Sequence, residues 1–159
     1  IIVSADESSL LFLRNEKTNK GLRQGELYLL KLEGVNDKEK ISSRAYIGDY
    51  EISPDGEKLL YISGDDLYLA EGQNKTKIGS EVICFNFNIS FDTITFVNKE
   101  QELFLRDIGE DYSDKIATAA SGLIFQDVKI SDQSDYITYI EDYDVRKKSG
   151  ELYLLWITT

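Results

Sequence analysis

The feature that most constrains this chain is an internal repeat. Four segments align with one another, and each is followed by a box of the form acidic-Leu-aromatic-Leu. The aligned segments are Ile2–Leu13, Tyr50–Ile62, Asn88–Val97 and Val128–Ile140, and the boxes are Glu26–Leu29, Asp66–Leu69, Glu102–Leu105 and Glu151–Leu154. Similar segments at a spacing of roughly 40 residues indicate a tandem array of one supersecondary unit.

The register inside the repeat is regular. A turn serine precedes a strand aromatic by eight residues in three copies, namely Ser4 to Phe12, Ser53 to Tyr61 and Ser131 to Tyr139. In the third copy the distance from Ser90 to Phe96 is six residues, which predicts a two-residue deletion. We therefore predict a single domain over residues 1–159, with repeats at approximately 1–44, 45–80, 81–119 and 120–159.

Each copy reads as short strands separated by turn residues, which indicates an all-β fold. An A strand leads into the turn serine, a B strand follows, a C strand holds the box, and a D strand such as Lys115–Ala117 closes the unit. Runs such as Leu59–Ile62 and Leu152–Trp156 are apolar at successive positions, so both faces of these strands should be covered. The sequence predicts four tandem four-stranded antiparallel blades of a β-propeller, the last without its D strand, as a partial propeller or four-blade arc.

The second copy carries the most explicit motif. Ser53–Tyr61, followed by Asp66–Leu69, resembles the WD40-like SPDG repeat of TolB-type and prolyl-oligopeptidase-type propellers. In this motif Pro54 presets φ, Asp55 can accept backbone hydrogen bonds, and Gly56 tolerates a left-handed conformation. We expect Ser53, Pro54, Asp55 and Gly56 to be structural, and Asp6, Asp92 and Asp132 to act as Asp55 does.

Composition excludes several classes of function. A net charge of −11 argues against nucleic acid as a partner, and no apolar run is long enough for a membrane helix. The chain has no histidine, so it cannot itself form a Ser-His-Asp triad or a His-ligated zinc site. The one cysteine, Cys84, lies among apolar residues and is expected in the core.

Two groups of acidic residues resemble metal ligands only superficially. Neither has the alternating spacing of a calcium loop, so we expect solvated acidic loops with no metal and no cofactor. The groups are Asp107, Glu110, Asp111 and Asp114, and Glu141, Asp142 and Asp144.

The most informative irregularity is where insertions fall. The first copy inserts Asn15–Gly25 between its B and C strands, and the fourth inserts Glu141–Gly150. Such insertions map to one face of a repeat protein, often the binding face. Both are locally basic, so they are either solvated hairpin tips or a basic rim for an anionic ligand or partner. The candidate binding residues are Lys17, Lys20, Arg23, Tyr143, Arg146, Lys147 and Lys148.

Two hypotheses for function follow. The first is a non-catalytic propeller segment that binds a protein or another ligand. The TolB-like resemblance implies that it belongs to a larger extracytoplasmic or envelope-associated bacterial protein. The alternative, implied by the prolyl-oligopeptidase-type resemblance, is a gating or substrate-positioning propeller of a serine hydrolase whose catalytic domain is absent from this chain. The chain starts without Met and ends on a truncated strand, so we expect a fragment of a longer protein that self-associates through uncovered blade faces or edges.

Overall fold

The computed structural model describes residues 1–19, 21–32, 38–118, 128–144 and 146–157. All regular elements in these residues are β-strands, which confirms the all-β prediction. Their bounds are β1 (Ile2–Val3), β2 (Ser9–Asn19), β3 (Leu22–Lys31), β4 (Lys38–Ile52), β5 (Lys58–Ser63), β6 (Asp66–Glu71), β7 (Asn74–Gly79), β8 (Val82–Phe87), β9 (Thr93–Asn98), β10 (Glu102–Asp107), β11 (Asp114–Thr118), β12 (Lys129–Ile130), β13 (Tyr136–Asp144) and β14 (Ser149–Trp156). No helix long and apolar enough to span a bilayer occurs in this part of the chain.

The chain divides into two compact units, Ile1–Glu81 and Val82–Thr159. The first unit is one antiparallel sheet of seven strands in the order β1 to β7. The predicted strands of the first two copies are all present, but β4 serves as the D strand of the first copy and continues as the A strand of the second. No proline or adjacent glycines interrupt β4, so the two copies share one strand where separate strands were expected.

The described residues of the second unit form two sheets. One has four strands in the order β11-β10-β9-β8, and the other has three in the order β12-β13-β14. Their strands correspond to the third copy and to the fourth copy without a D strand. Neighbouring strands of the described residues pair antiparallel, as in β9 with β10 and β13 with β14.

The B–C pairing repeats the register expected from the sequence. In each copy the aromatic residue of the B strand lies opposite the aromatic residue of the box. The two rings stack with centroids 5.0–5.8 Å apart, in the range that stabilises aromatic pairs. The pairs are Phe12–Tyr28, Tyr61–Tyr68, Phe96–Phe104 and Tyr139–Tyr153.

Each unit has its own apolar core. In β5 the successive residues Leu59–Ile62 are all buried, so both faces of this strand are covered as predicted. In the second unit Val97, Leu103 and Ile137 are buried together, and the half-buried Cys84 packs against them. Strand β14 differs, because most of its side chains are exposed.

The turn before β5 has the chemistry expected of Ser-Pro-Asp-Gly. The Ser53 hydroxyl donates to the Asp55 carboxylate at 2.6 Å, and Ser53 Oγ accepts the Lys58 amide at 2.8 Å. Asp55 also accepts the Glu57 amide, and the Ser53 hydroxyl beside it lowers the pKa of Asp55. Gly56 is left-handed with φ +71°. The first copy repeats the pattern with Ser4 donating to Asp6.

The third and fourth turns correct two expectations. In the third copy Asn88, not Ser90, holds the serine position: its side-chain oxygen accepts the amides of Asp92 and Thr93. Asn88 precedes Phe96 by eight residues, so no deletion occurs. Asp92 lies later in the turn and accepts a hydrogen bond from the Asn88 amide group. In the fourth turn Ser131 accepts backbone amides, and Asp132 makes no hydrogen bond with the described residues.

The two insertions are extensions of hairpins and not irregular loops. Strands β2 and β3 continue to Asn19 and from Leu22, and β13 and β14 continue to Asp144 and from Ser149. Both extended pairs contain a register shift, between Arg14 and Lys17 in the first hairpin and between Glu141 and Asp144 in the second. The inserted residues therefore project from regular hydrogen-bonded ladders.

Candidate functional site

The candidate site is an open cleft of about 540 Å³ in the first unit, where the β2–β3 hairpin passes beside β4. At the hairpin bulge Asn15 adopts φ +52°, which displaces the register between Arg14 and Lys17. The residues lining the cleft are Asn15, Glu16, Lys17, Gln24, Gly25, Glu26, Ser43 and Arg44. Almost all of them are polar, so the cleft suits a charged ligand better than an apolar one.

The carboxylates of the cleft are already paired. Glu16 accepts a hydrogen bond from Arg23 at 2.6 Å. Glu26 forms an ion pair with Lys40 and also accepts hydrogen bonds from Asn15 and Tyr28. The Lys40 ammonium lowers the pKa of Glu26 most, followed by the Asn15 amide. The charge of both acids is therefore compensated locally.

Two cations of the cleft lack such a partner. Lys17 and Arg44 are both exposed, and neither forms an ion pair with another described residue. The Arg44 backbone is held firmly, since its carbonyl accepts the Ser63 hydroxyl at 2.7 Å and its amide donates to Ser42 at 3.1 Å. Its guanidinium lies over the β5–β6 turn, where a Cβ on Gly64 would come within 2.6 Å of a terminal nitrogen. The cleft is therefore locally cationic on an acidic protein.

Arg44 was missed by sequence reasoning. It lies in Ser42-Ser43-Arg44, a polar segment without motif character, and it reaches the cleft only because β4 runs unbroken beside β3. The one feature of the sequence that could have indicated a role for Arg44 is that it is a basic residue at the boundary between two repeats. Lys17 was predicted and lies in the cleft. Arg23 lies on the same hairpin, but its charge is taken up by Glu16.

The other predicted residues have different placements. Lys20 lies outside the described residues, and Tyr143 belongs to β13 but its side chain is likewise outside the description. Arg146, Lys147 and Lys148 form the exposed tip between β13 and β14. They belong to the second unit and Lys17 to the first, so a common basic rim stays a prediction.

The second hairpin tip is organised by Asp144. Its carboxylate accepts the backbone amides of Arg146 at 2.9 Å and Lys147 at 3.2 Å, and it lies 3.5 Å from the Lys147 ammonium. The Lys147 amide and then the Arg146 amide lower the pKa of Asp144. Within the described part of the chain, Arg146 and Lys148 have no ion-pair partner.

Acidic residues also meet at a cleft of about 480 Å³ in the second unit. Its lining includes four aspartates, Asp92, Asp107, Asp132 and Asp135. Among the described residues no three His, Cys, Asp or Glu side chains converge in a group that could hold a metal ion. We therefore assign no metal-binding role to these acids.

Comparison with known proteins identifies the fold. No family model matches the sequence, and no curated protein matches it. Solved structures do match. An oligogalacturonate lyase in complex with manganese aligns with a TM-score of 0.62 and 15% identity over 95% of this chain and 46% of the lyase. Dipeptidyl peptidase 4 of Porphyromonas gingivalis aligns with a TM-score of 0.58 and 9% identity over 95% of this chain and 31% of the peptidase.

A third match is a structure described as a β-propeller domain. It is Cps50 (Swd1) of Myceliophteria thermophila, with a TM-score of 0.51 and 13% identity over 87% of this chain and 52% of that domain. At these identities the likeness shows the fold alone, and the fold is that of a β-propeller. The chain spans about half or less of the length of the solved structures that it matches.

Proposed function

We propose that this chain is a non-catalytic binding scaffold whose β2–β3 cleft takes a carboxylate-bearing ligand. The observation that carries the proposal is the pairing pattern of the cleft. Its acids are neutralised by Arg23 and Lys40, whereas Lys17 and Arg44 have no carboxylate partner among the described residues. Arginine suits this role because its planar guanidinium donates two parallel hydrogen bonds to a carboxylate.

The exposure of Lys17 and Arg44 determines the affinity to expect for a ligand. Both cations are exposed, so water and salt screen their attraction, and each contact contributes modestly. A ligand held by two such contacts binds weakly unless it carries several carboxylates along its length. An acidic oligomer is therefore the form of ligand that the cleft fits best.

Two probes separate the possible sources of the carboxylate. A short oligogalacturonate carries one carboxylate on each sugar and is suggested by the name of one structure that shares the fold. A short oligo-glutamate peptide presents the same group on a polypeptide. Titration calorimetry of the full chain against each, with an uncharged oligosaccharide for reference, identifies which source is preferred.

Variants then locate the binding. We expect Arg44→Ser and Lys17→Ser each to weaken binding roughly two- to five-fold, since each removes one exposed charge-assisted contact. The matched control is Lys129→Ser, which makes the same charge change at an exposed position on β12 of the second unit. Failure of both probes to bind, or equal affinity for Arg44→Ser and the unaltered chain, would refute the proposal.

A further inference from the structure

The C–D ladders of the structure share a lysine that the sequence alignment did not reveal. In each of the three copies that have a D strand, a D-strand lysine lies opposite the box aromatic. The opposed pairs are Tyr28–Lys40, Tyr68–Lys77 and Phe104–Lys115. The lysine ammonium reaches back to the box acid, which places an ion pair at the same point of each sheet.

These ion pairs join Lys40 to Glu26, Lys77 to Asp66 at 2.8 Å, and Lys115 to Glu102 at 3.1 Å. In every case the residue after the lysine is isoleucine, and the ladder shifts register there, so the isoleucine is the extra residue of a β-bulge. A small residue follows and lies opposite the box leucine. The three D strands thus contain Lys40-Ile41-Ser42, Lys77-Ile78-Gly79 and Lys115-Ile116-Ala117.

The fourth box has the same acidic, leucine and aromatic residues, but no D strand pairs with it among the described residues. Strand β14 lies at the edge of its sheet and pairs only with β13 among the described strands. Glu151 accepts a hydrogen bond from Tyr153 at 2.9 Å but has no lysine partner in the described residues. The box leucine is fully buried in the three other copies, as Leu27, Leu67 and Leu103, whereas Leu152 is 73% exposed.

The apolar face of β14 extends beyond that leucine. Leu152, Leu154 and Trp156 alternate along the strand, so they share one face, and all three are exposed. Four of the other five edges of the described sheets are short or carry lysines, and the fifth, the uncharged β8, contacts the segment before β12, where the Asn86 amide donates to the Val128 carbonyl at 2.6 Å. Strands β1 and β12 have two residues each, while β7 and β11 carry lysines. Short or charged edges resist pairing with another chain, but β14 is long and carries a single charge.

We propose that the β14 edge binds an extended strand of another polypeptide segment with the pattern Lys-Ile-small. The strand runs antiparallel to β14, its lysine lies opposite Tyr153 and pairs with Glu151, and its small residue lies opposite Leu152. Main-chain hydrogen bonds supply the affinity and the lysine fixes the register. A second copy of β14 does not fit this description, since Ser149–Trp156 contains no lysine. The inference is independent of the carboxylate cleft.

The chain supplies both a test ligand and a reporter. A capped peptide with the β7 sequence Asn74–Gly79 contains the required Lys77-Ile78-Gly79. Trp156 is the single tryptophan, and by analogy with the β6–β7 register it would lie opposite the first residue of the peptide. Titrating the full chain with this peptide should shift the tryptophan emission to shorter wavelength in a saturable manner, because the exposed ring becomes covered.

A charge exchange tests the lysine directly. A peptide with Lys77→Glu should bind roughly ten-fold more weakly, since attraction to Glu151 becomes repulsion. The protein variant Glu151→Lys should reverse the order of the two peptides. Light scattering of the chain without peptide shows whether two copies associate through the uncovered β14 edge. The proposal is overturned if no emission shift occurs, if both peptides bind the unaltered chain equally, or if the chain alone dimerises with the same emission shift.

Discussion

Replacing Gly56 by alanine should destabilise the first unit more than any ordinary glycine substitution at a turn. Gly56 has φ +71°, and a Cβ there would lie 2.8 Å from Ser9 Cβ and closer still to Ser9 Oγ. Ser9 is fully buried, so it has little freedom to move away. The left-handed conformation costs about 1 kcal/mol for a residue with a side chain, and overpacking against a buried group costs about 2 kcal/mol more.

The equivalent turn positions show that the conformation alone is tolerated. Glu7, Phe91 and Ser134 occupy them with φ of 57–60°. The clash with Ser9 is therefore what distinguishes Gly56. Gly72→Ala is the matched control, because Gly72 also has positive φ but an added Cβ meets nothing within 4 Å. We expect a loss of about 3 kcal/mol for Gly56→Ala and about 1 kcal/mol for Gly72→Ala.

Urea unfolding followed by circular dichroism measures both losses, provided that the slope of the transition stays unchanged. The double variant Gly56→Ala with Ser9→Gly removes the atoms that clash and should recover part of the loss relative to Ser9→Gly alone. Equal midpoints for Gly56→Ala and Gly72→Ala would refute the steric argument. A midpoint for Gly56→Ala that equals that of the unaltered chain would refute the turn assignment itself.

Two further predictions concern buried charge. Arg106 is 8% exposed and its Nε has no hydrogen-bond partner, while the equivalent positions in the other copies hold leucine or alanine. Arg106→Leu should therefore raise the free energy of unfolding by about 1–2 kcal/mol. A lower melting temperature for this variant would contradict the prediction. Burial raises the pKa of Asp49 above its ordinary value of 3.8. Between the unfolded-state pKa and the raised folded-state pKa, the folded state therefore binds more protons than the unfolded state, and stability falls as pH rises through this range. Asp49→Asn should be more stable than the unaltered chain at pH 7 and lose this advantage below about pH 3; an advantage independent of pH would contradict the assignment.

The features visible in the sequence are those that local chemistry specifies. The residues Gly64-Asp65 predict a two-residue hairpin turn. Counting residues outward from this turn along both strands then places Tyr61 opposite Tyr68. The position of Asn88 was misread because the alignment followed the letters Ser-x-Asp. The structure shows that an amide oxygen accepts the same backbone hydrogens as a serine hydroxyl.

What the sequence could not reveal depends on distant pairing. Whether a cation such as Arg44 is neutralised is decided by strands that lie far apart along the chain. The D-strand lysine escaped notice because its acid lies 11 to 14 residues earlier, as in Lys77 with Asp66 and Lys40 with Glu26. The lysine lies opposite the box aromatic, beside a bulge, and its side chain reaches the acid from there. Bulges leave little trace in a hydrophobic pattern.

Carboxylate binding by the β2–β3 cleft is tested most directly by nuclear magnetic resonance of the backbone amides during titration with the two acidic probes. We predict that the largest saturable shifts occur at Lys17, Gln24, Ser43 and Arg44, and that salt at about 0.5 M reduces them because the cations are exposed. Absence of any shift would contradict the proposed function. So would shifts that are largest at Arg146–Lys148, since they would place the ligand on the second hairpin tip.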